Sequence, residues 1–213
     1  MSIIPSRQKG NSNKPLKRGR SPKRAERRSE IVQAAYRTLA EKGFEGLRMR
    51  DIAKQAGIDH STLHYYFAGK AALIDAIVDH IVVDLAVGRS PVSEAERLSP
   101  RLRLSAHFDA LIKQLDETPE MFVVLAELNA RAMREPSLRA IFNKNDRKWK
   151  GFLTEVLLSG IQRTEFKGKF LPEVAAEAII SVIRGLTITC AGSPELMRRP
   201  LHQVLAWLEG ASV

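Results

Sequence analysis

The sequence predicts an all-α protein, and three observations support that fold class. Hydrophobic residues make up 44% of the 213 residues, enough for a buried core, while aromatic residues contribute only 6%. Apolar side chains, many of them the strong helix formers Ala and Leu, recur at spacings of three and four. No segment shows the alternating Val, Ile and Thr pattern of a half-buried strand. We therefore expect an N-terminal three-helix domain followed by a larger helical domain.

The chain begins with a basic arm, residues 1–20, which is rich in Ser, Asn, Pro and Gly and for which we expect no stable structure. Residues 1–28 contain ten Lys or Arg side chains and one Glu, and so carry +9 of the net charge of +10. Such a segment favours a polyanion such as DNA, RNA or an anionic membrane surface; the alternative is a solubilising tail. Arg18 and Arg20 flank a Gly and could enter a narrow minor groove of DNA.

Residues 21–70 predict three helices. The first begins at Ser21-Pro22, because Ser is a good N-cap and Pro suits the first helical position. Gly43 is a typical helix end. Two short helices follow, at about 48–56 and 60–67.

The two short helices and the turn between them have the layout of a helix-turn-helix. Gly57 supplies the positive φ that the turn needs, and Asp59 can cap the second helix. The inward positions are Ile52, Ala53, Ala56, Ile58, Leu63 and Phe67. Four side chains on the outer face of the second helix can reach base edges and phosphates in a major groove: His60, Ser61, His64 and Tyr65.

Over residues 24–75 the sequence strongly resembles the tetracycline-repressor (TetR) family of bacterial regulators. The matching residues are Gly43-Phe44, Arg50-Asp51-Ile52-Ala53, Ala56-Gly57-Ile58, Thr62-Leu63, Tyr65-Tyr66-Phe67, Lys70 and Leu73. The resemblance implies an all-helical repressor that binds a near-palindromic operator as a homodimer, with a C-terminal effector domain of about six helices.

The resemblance also implies roles for individual residues. Arg50, Thr62, Tyr65 and Lys70 match positions that contact bases or phosphates in family members. Two positions depart from the family pattern. Leu47-Arg48 stands where Ser or Thr usually caps the second helix, so Arg48 would replace a neutral phosphate contact with a charged one. His64 stands where a phosphate-contacting Tyr is common.

Residues 71–213 predict a helical ligand-binding and dimerisation domain. A helix from Lys70 to Val87 links it to the first domain, and a polar loop follows from Gly88 to Pro100. Further helices are expected at about 101–116, 120–134, 137–163, 172–190 and 200–209.

The helix at 172–190 is apolar around most of its circumference, so it must be covered on two sides. Ala178 and Gly185 suit close approach of another helix. With the terminal helix it could form a four-helix bundle across a two-fold axis. The alternative is a core helix covered entirely within one chain.

An effector pocket is expected among the central helices, and large apolar side chains there suit a small apolar or amphipathic molecule of unknown identity. The alternative for each candidate is an ordinary place in the core. The candidates are His107, Phe108, Leu111, Met121, Phe122, Leu125, Trp149, Phe152 and Leu153.

Other classes of site and compartment are less well supported. The single cysteine, Cys190, excludes an internal disulfide framework and fits a reducing compartment. We expect a cytoplasmic protein, because no apolar run has the length of a signal peptide or a membrane span. His60 and His64 have the i, i+4 spacing of metal ligands, but two DNA-facing histidines explain them without a metal. No cofactor motif is present.

The sequence therefore predicts a DNA-binding transcriptional regulator, a ligand-responsive repressor in which the effector shifts the helix from Lys70 to Val87. That shift would change the separation of paired recognition helices, which should lie about 34–36 Å or a multiple apart on DNA. The alternative is an architectural DNA protein dominated by the basic arm. An enzyme is less consistent with the sequence, which lacks nucleophile-elbow, phosphate-loop and dinucleotide motifs.

Overall fold

The structure, a computed structural model, describes residues 22–84, 98–189 and 193–211. In this part of the chain every regular element is an α-helix, as the sequence predicts. The basic arm with Arg18 and Arg20, the segment 85–97 and Cys190 lie outside the described residues. The helices are α1 (Pro22–Gly46), α2 (Met49–Gln55), α3 (His60–Tyr66), α4 (Lys70–Asp84), α5 (Pro100–Glu117), α6 (Pro119–Ala132), α7 (Pro136–Gln162), α8 (Pro172–Thr189) and α9 (Pro194–Glu209).

Helix α1 carries the N-terminal core on one face. Ile31, Ala35 and Leu39 are almost completely buried and recur at spacings of four, as an amphipathic helix requires. The helical path breaks at Gly43, which has a φ of +65°. Gly43 therefore interrupts the helix as predicted, but three further residues form one more turn before α2 begins.

The N-terminal core continues into the second half of the chain. The apolar cluster of α1 to α4 also contains Met121, Val124 and Leu128 from α6, and Leu138, Ile141 and Phe142 from α7. This apolar cluster therefore extends well beyond residue 70. A displacement of α6 or α7 would therefore change the packing of the N-terminal helices, because a close-packed core transmits strain.

The second apolar cluster joins α5, α7, α8 and α9. Leu104, Leu153 and Leu201 are among its fully buried members. Gly160 in α7 makes room for Phe166: a Cβ at Gly160 would lie 2.0 Å from the Phe166 ring. The loop after α7 can therefore fold back onto that helix.

Helix α9 begins at Pro194, six residues before the predicted start. Pro200 lies inside the helix, where it lacks the N–H for one backbone hydrogen bond. Burial of Met197 and Leu201 on either side of it supports the helix. The helix ends at Gly210, which has a φ of +84°. The helix therefore begins earlier than predicted, because Pro194 occupies its first position.

Among the described helices, none combines the length and the apolar content that crossing a membrane requires.

Candidate DNA-binding surface and central cavity

Helices α2 and α3 pack closely around four buried side chains: Ile52, Ala53, Leu63 and Phe67. The turn between them depends on Gly57, whose φ of +64° is one that residues with a Cβ rarely adopt. The backbone N–H of Ile58 donates to the carbonyl of Ala53 at 2.9 Å and closes the turn. The sequence-predicted helix-turn-helix is therefore confirmed in its turn and in four of its six inward residues, while Ala56 and Ile58 are partly buried against the same cluster.

Asp59 holds the start of α3 in place. Its carboxylate accepts hydrogen bonds from the Thr62 backbone N–H at 2.7 Å, the Thr62 hydroxyl at 2.8 Å and the Ser61 hydroxyl at 2.5 Å. These donors, the Ser61 hydroxyl first, keep the pKa of Asp59 well below its usual range. Each hydroxyl donates its proton to Asp59, so Ser61 and Thr62 present only acceptor lone pairs outward in this state.

Six of the predicted DNA-binding residues are exposed, and together they are called here the recognition surface: Arg48, Arg50, His60, Ser61, His64 and Tyr65. The His60 and His64 rings meet edge to face, with centroids 4.5 Å apart. Tyr65 is 66% exposed. In the described part of the chain, no group of three or more His, Cys, Asp or Glu residues is arranged to hold a metal ion.

Helix α1 adds arginines to this surface that the sequence analysis counted only as part of a charged segment. The guanidinium of Arg24 lies over the Tyr65 ring, 4.9 Å from its centroid, and that of Arg28 lies 4.8 Å from the centroid of Phe67. Arg27 donates to the carbonyl of Ala56 at the C-terminal end of α2, at 2.8 Å. The i, i+4 spacing of Arg24 and Arg28 on a helix was the signal that could have found them.

Lys70 differs from the other predicted DNA-binding residues because it points into the molecule. Its Nζ donates to the carbonyl of Phe44 at 2.9 Å and lies 3.6 Å from the centroid of the Phe44 ring. Burial lowers the pKa of Lys70. In this conformation Lys70 ties the start of α4 to the turn before α2.

Phe44 is the centre of a contact between the two halves of the chain. The Glu127 carboxylate in α6 accepts from the Phe44 backbone N–H at 2.9 Å, and the Arg131 guanidinium lies 4.0 Å from the Phe44 ring centroid. Arg131 also pairs with Glu45. We call these contacts of Phe44 with Lys70, Glu127 and Arg131 the Phe44 joint. It fixes α6 and α4 to the turn that leads into the helix-turn-helix.

A cavity of about 390 Å³, called here the central cavity, lies where the two apolar clusters meet. This volume falls within the range of small-molecule pockets, about 300–1,000 Å³. Its walls come from α4, α5, α6, α7 and α8. The lining residues are Val78, Leu111, Phe122, Leu125, Ala126, Asn129, Phe142, Asn145, Asp146, Lys148, Trp149, Phe152, Ile183, Arg184, Thr187 and Ile188.

The sequence-predicted pocket residues divide into two groups. Phe122, Leu125, Trp149 and Phe152 line the cavity, as does Leu111. The structure does not bring the others to the wall. Phe108 and Leu153 are buried in the second apolar cluster, Met121 in the first, and His107 lies behind Trp149. The polar wall residues and those of α8 were missed, because their positions depend on how α7 and α8 cross.

His107 supports the cavity wall from behind. The Trp149 indole N–H donates to His107 Nε2 at 3.0 Å, and the Phe152 ring lies edge-on to the imidazole, with centroids 5.4 Å apart. Burial lowers the pKa of His107 to about 4. The imidazole is therefore neutral at pH 7, and Nε2 is free of a proton and accepts the indole hydrogen bond.

The polar groups of the central cavity come mainly from α7 and α8. Asp146 pairs with Arg184 across the two helices, while Lys148 is exposed. Asn145 is buried and donates to the Ile141 carbonyl at 3.2 Å. Its Oδ1 has no hydrogen-bond partner in the described part of the chain. The cavity thus combines aromatic walls with a cluster of charged groups.

The outer face of α8 and α9 is apolar and exposed within one chain. Val174, Ile188 and Trp207 are 56%, 68% and 55% exposed. Ala178 and Gly185, the two small residues predicted at a helix contact, are also exposed. A groove lined by residues including Phe170, Leu171, Val174, Val182 and Trp207 runs along this face. The inner face of α8 is covered by its own chain, and the outer face is not.

Two protein-family models match the chain. The model described as "Bacterial regulatory proteins, tetR family" matches residues 31–77, and "BetI-type transcriptional repressor, C-terminal" matches residues 100–210. The chain is similar to the HTH-type transcriptional regulator BetI of Burkholderia lata, with 25% identity over 170 residues, 79% of this chain and 84% of the relative. With the Burkholderia thailandensis BetI it shares 31% identity over 126 residues, 57% of this chain and 63% of the relative.

Solved structures show the same fold. A putative TetR-family transcriptional regulator from Rhodococcus sp. has a TM-score of 0.77 and 25% identity, and the alignment covers 87% of this chain and 99% of that one. A putative transcriptional regulator from Saccharomonospora viridis, solved in complex with choline, has a TM-score of 0.68 and 22% identity, with coverage of 84% and 95%.

Proposed function

Because the chain belongs to the TetR family of transcriptional regulators and carries a BetI-type C-terminal domain, we propose that it is a ligand-responsive repressor that binds its operator as a homodimer. Regulation of transcription through a helix-turn-helix follows from the family, which is not enzymatic. The observation that carries the finer proposal is the Phe44 joint, which links the recognition surface to the central cavity through one helix.

The recognition surface suits the major groove. Helix α3 presents His60, His64 and Tyr65 outward, and short polar and aromatic side chains at these positions can reach base edges and phosphates. Arg48 and Arg50 flank them from α2, and Arg24 supports Tyr65 from α1. The net charge of +10 favours association with DNA and predicts that affinity falls as salt rises.

The outer face of α8 and α9 is the proposed dimer interface. A two-fold axis would bring the same face of a second copy onto it, so that Val174, Ile188 and Trp207 become buried. The small residues Ala178 and Gly185 would let the paired helices approach closely. Such an arrangement holds two recognition helices at a fixed separation, as a near-palindromic operator requires.

The central cavity is the proposed effector site. The regulator from Saccharomonospora viridis binds choline, which supports an effector-binding role for the corresponding helical domain in this chain. The cavity is largely apolar and closed on several sides by aromatic rings. A small organic molecule would be held there within the protein, which we place in the cytoplasm with its DNA.

Helix α6 provides a direct route from the cavity to the DNA-binding helices. Leu125 and Ala126 line the cavity, while Glu127 and Arg131 hold Phe44. An effector that displaces α6 would therefore move the turn before α2. This route adds to the proposed shift of α4, which contributes Val78 to the cavity and Lys70 to the Phe44 joint.

The experiment is selection of bound fragments from genomic DNA, followed by footprinting and salt-dependent affinity measurements. We expect protection of one near-palindromic site and a dimer on it. Replacing Arg50→Ala should weaken operator binding by about tenfold or more, since a charged DNA contact is worth roughly 1–3 kcal/mol.

Arg163→Ala is the matched control, because it removes the same charge at the far end of α7. A helix of the length of α7, 27 residues, spans roughly 40 Å, and its N-terminal half packs near the DNA-binding helices. Arg163→Ala should bind the operator like the unchanged protein. Uniform binding to all fragments would contradict the repressor and favour an architectural DNA protein.

A further inference from the structure

The charged groups of the central cavity give it a net positive charge. Three of its lining residues are charged: Asp146, Lys148 and Arg184. The carboxylate of Asp146 is already paired with the guanidinium of Arg184. Lys148 has no ion-pair partner within the part of the chain that the structure describes. The sum at the cavity is therefore +1, and Lys148 is the group whose charge is not compensated.

This arrangement is unfavourable for a cationic ligand. A cation is attracted by an uncompensated carboxylate or by the faces of aromatic rings, and the described wall offers only the rings. Arg184 already pairs with the one carboxylate among the described wall residues, and Lys148 would repel a second cation. An anionic ligand is favoured instead, because it can contact both the ammonium of Lys148 and the N–H donors of Arg184 that Asp146 does not use.

The charged groups also lie where an anion can remain partly hydrated. Lys148 is exposed and Arg184 is half-buried, so they mark the mouth of the cavity rather than its interior. The interior wall is formed by rings and aliphatic side chains such as Phe122, Phe142 and Phe152. A molecule with an apolar body and an anionic end would bury the first and keep the second near water, which avoids the cost of burying an isolated charge.

The size of the cavity limits the apolar body. The cavity volume of about 390 Å³ lies near the lower end of the range for small-molecule pockets, about 300–1,000 Å³, so the apolar body must be small. We infer that the effector is an anionic amphipath, a carboxylate or similar anion on a small apolar body. Lys148 and Arg184 hold the anion, and the aromatic wall holds the body. This inference rests on the proposed effector role of the cavity.

The test is calorimetric titration of the full chain with three probes that share a ten-carbon chain: decanoate, decanol and decyltrimethylammonium. The two ionic probes are kept below their micelle concentrations, and decanol is kept below its solubility limit. We expect decanoate to bind at least about tenfold more tightly than decyltrimethylammonium. Lys148→Gln should weaken the binding of decanoate by about threefold to tenfold and leave the binding of decanol unchanged. This is expected for a charge-assisted contact at a partly exposed site. Lys148→Glu should reverse the preference between the two charged probes.

Arg147→Gln is the matched control. It removes one positive charge from the neighbouring position, and Arg147 is outside the cavity wall. Its decanoate affinity should equal that of the unchanged protein. The inference is overturned if decyltrimethylammonium binds as tightly as decanoate, if Lys148→Gln and Arg147→Gln behave alike, or if no probe binds.

Operator affinity measured in parallel separates this inference from the proposed function. Operator release by decyltrimethylammonium would overturn the anionic effector and leave the repressor in place. Decanoate bound with the expected charge dependence, but without effect on operator affinity, would support the anionic site and contradict the ligand-responsive repressor.

Discussion

The N-terminal helices and the cavity-forming helices bury apolar side chains in different ways. Around α1 to α3 the core is filled by small and aliphatic residues such as Ala35, Ala53 and Leu63, each at most 3% exposed. Around α5 to α8 large rings such as Phe122 and Trp149 stand around a space of about 390 Å³. A filled core holds the recognition surface in one geometry, whereas an incompletely filled core can change its packing when a ligand enters.

Replacing one buried leucine by alanine in each region gives the largest expected change in the free energy of unfolding. Leu63→Ala should lower the free energy of unfolding by about 4–5 kcal/mol, the upper end for buried leucines, because Leu63 is surrounded on all sides. Leu111→Ala should cost about 2–3 kcal/mol, because the Leu111 side chain already borders empty space. Urea unfolding of both variants measures the difference.

Val123→Ala, on an exposed side chain of α6, is the control for these truncations and should change stability by no more than about 0.5 kcal/mol. Equal losses for Leu63→Ala and Leu111→Ala would show that the two cores are equally well packed, contrary to the comparison.

The buried His107 behind the cavity predicts that the free energy of unfolding depends on pH. The expected change is nearly as large as that of the leucine truncations. Burial lowers the pKa of His107 to about 4 in the folded protein, against 6.5 in an unfolded chain. Between these values the unfolded state binds a proton that the folded state does not, so stability falls as the pH is lowered from 6.5 towards 4. The loss should approach roughly 3 kcal/mol.

His107→Gln isolates this contribution. Glutamine does not titrate, and its side-chain oxygen can still accept from the Trp149 indole N–H. The difference in unfolding free energy between the two proteins, measured by urea at pH 7 and pH 4.5, should shrink as the pH falls. Parallel pH curves would contradict this, because they would show that the pKa of His107 is the same in the folded and unfolded states.

Replacing one alanine by leucine in each region gives the smallest expected change in the free energy of unfolding, and it compares the two regions most directly. Ala35→Leu should lower the free energy of unfolding by about 1–3 kcal/mol, because Ala35 is completely buried and has no space beside it. Ala126→Leu points into the central cavity and should change stability by less than about 1 kcal/mol. It should also weaken decanoate binding by filling part of the site.

Thermal unfolding and calorimetric titration of both variants distinguish these outcomes. A strong destabilisation by Ala126→Leu would mean that the space beside α6 is not available to a side chain, and therefore not to a ligand.

Local chemistry made much of the N-terminal region predictable. Gly57 adopts the positive φ that a turn before α3 needs, and Asp59 caps that helix as its side chain allows. Each of these features depends on residues fewer than five positions apart. Prediction was weaker at α9, which was expected near 200–209 but begins at Pro194, with Met197 buried in the added first turn.

The residues that line the cavity were only partly predictable from local sequence patterns. Phe122, Leu125, Trp149 and Phe152 were predicted from size and apolarity, and they line the wall. His107 was predicted for the same reason but lies behind Trp149. The sequence pattern gave no sign that Asp146 and Arg184, 38 positions apart, would meet across two helices. The rotation of each helix decides which side chains reach the cavity.

The sequence by itself determined the helical class, the helix-turn-helix and its turn, and the family to which the chain belongs. These properties follow from residue spacing and backbone preference within short segments. Tertiary structure alone decided that Lys70 holds Phe44, that α6 joins the cavity to the turn before α2, and that the described residues of the cavity wall include two cations and one carboxylate. The physical reason is that contacts between distant segments depend on the relative placement of whole helices, which no local spacing records.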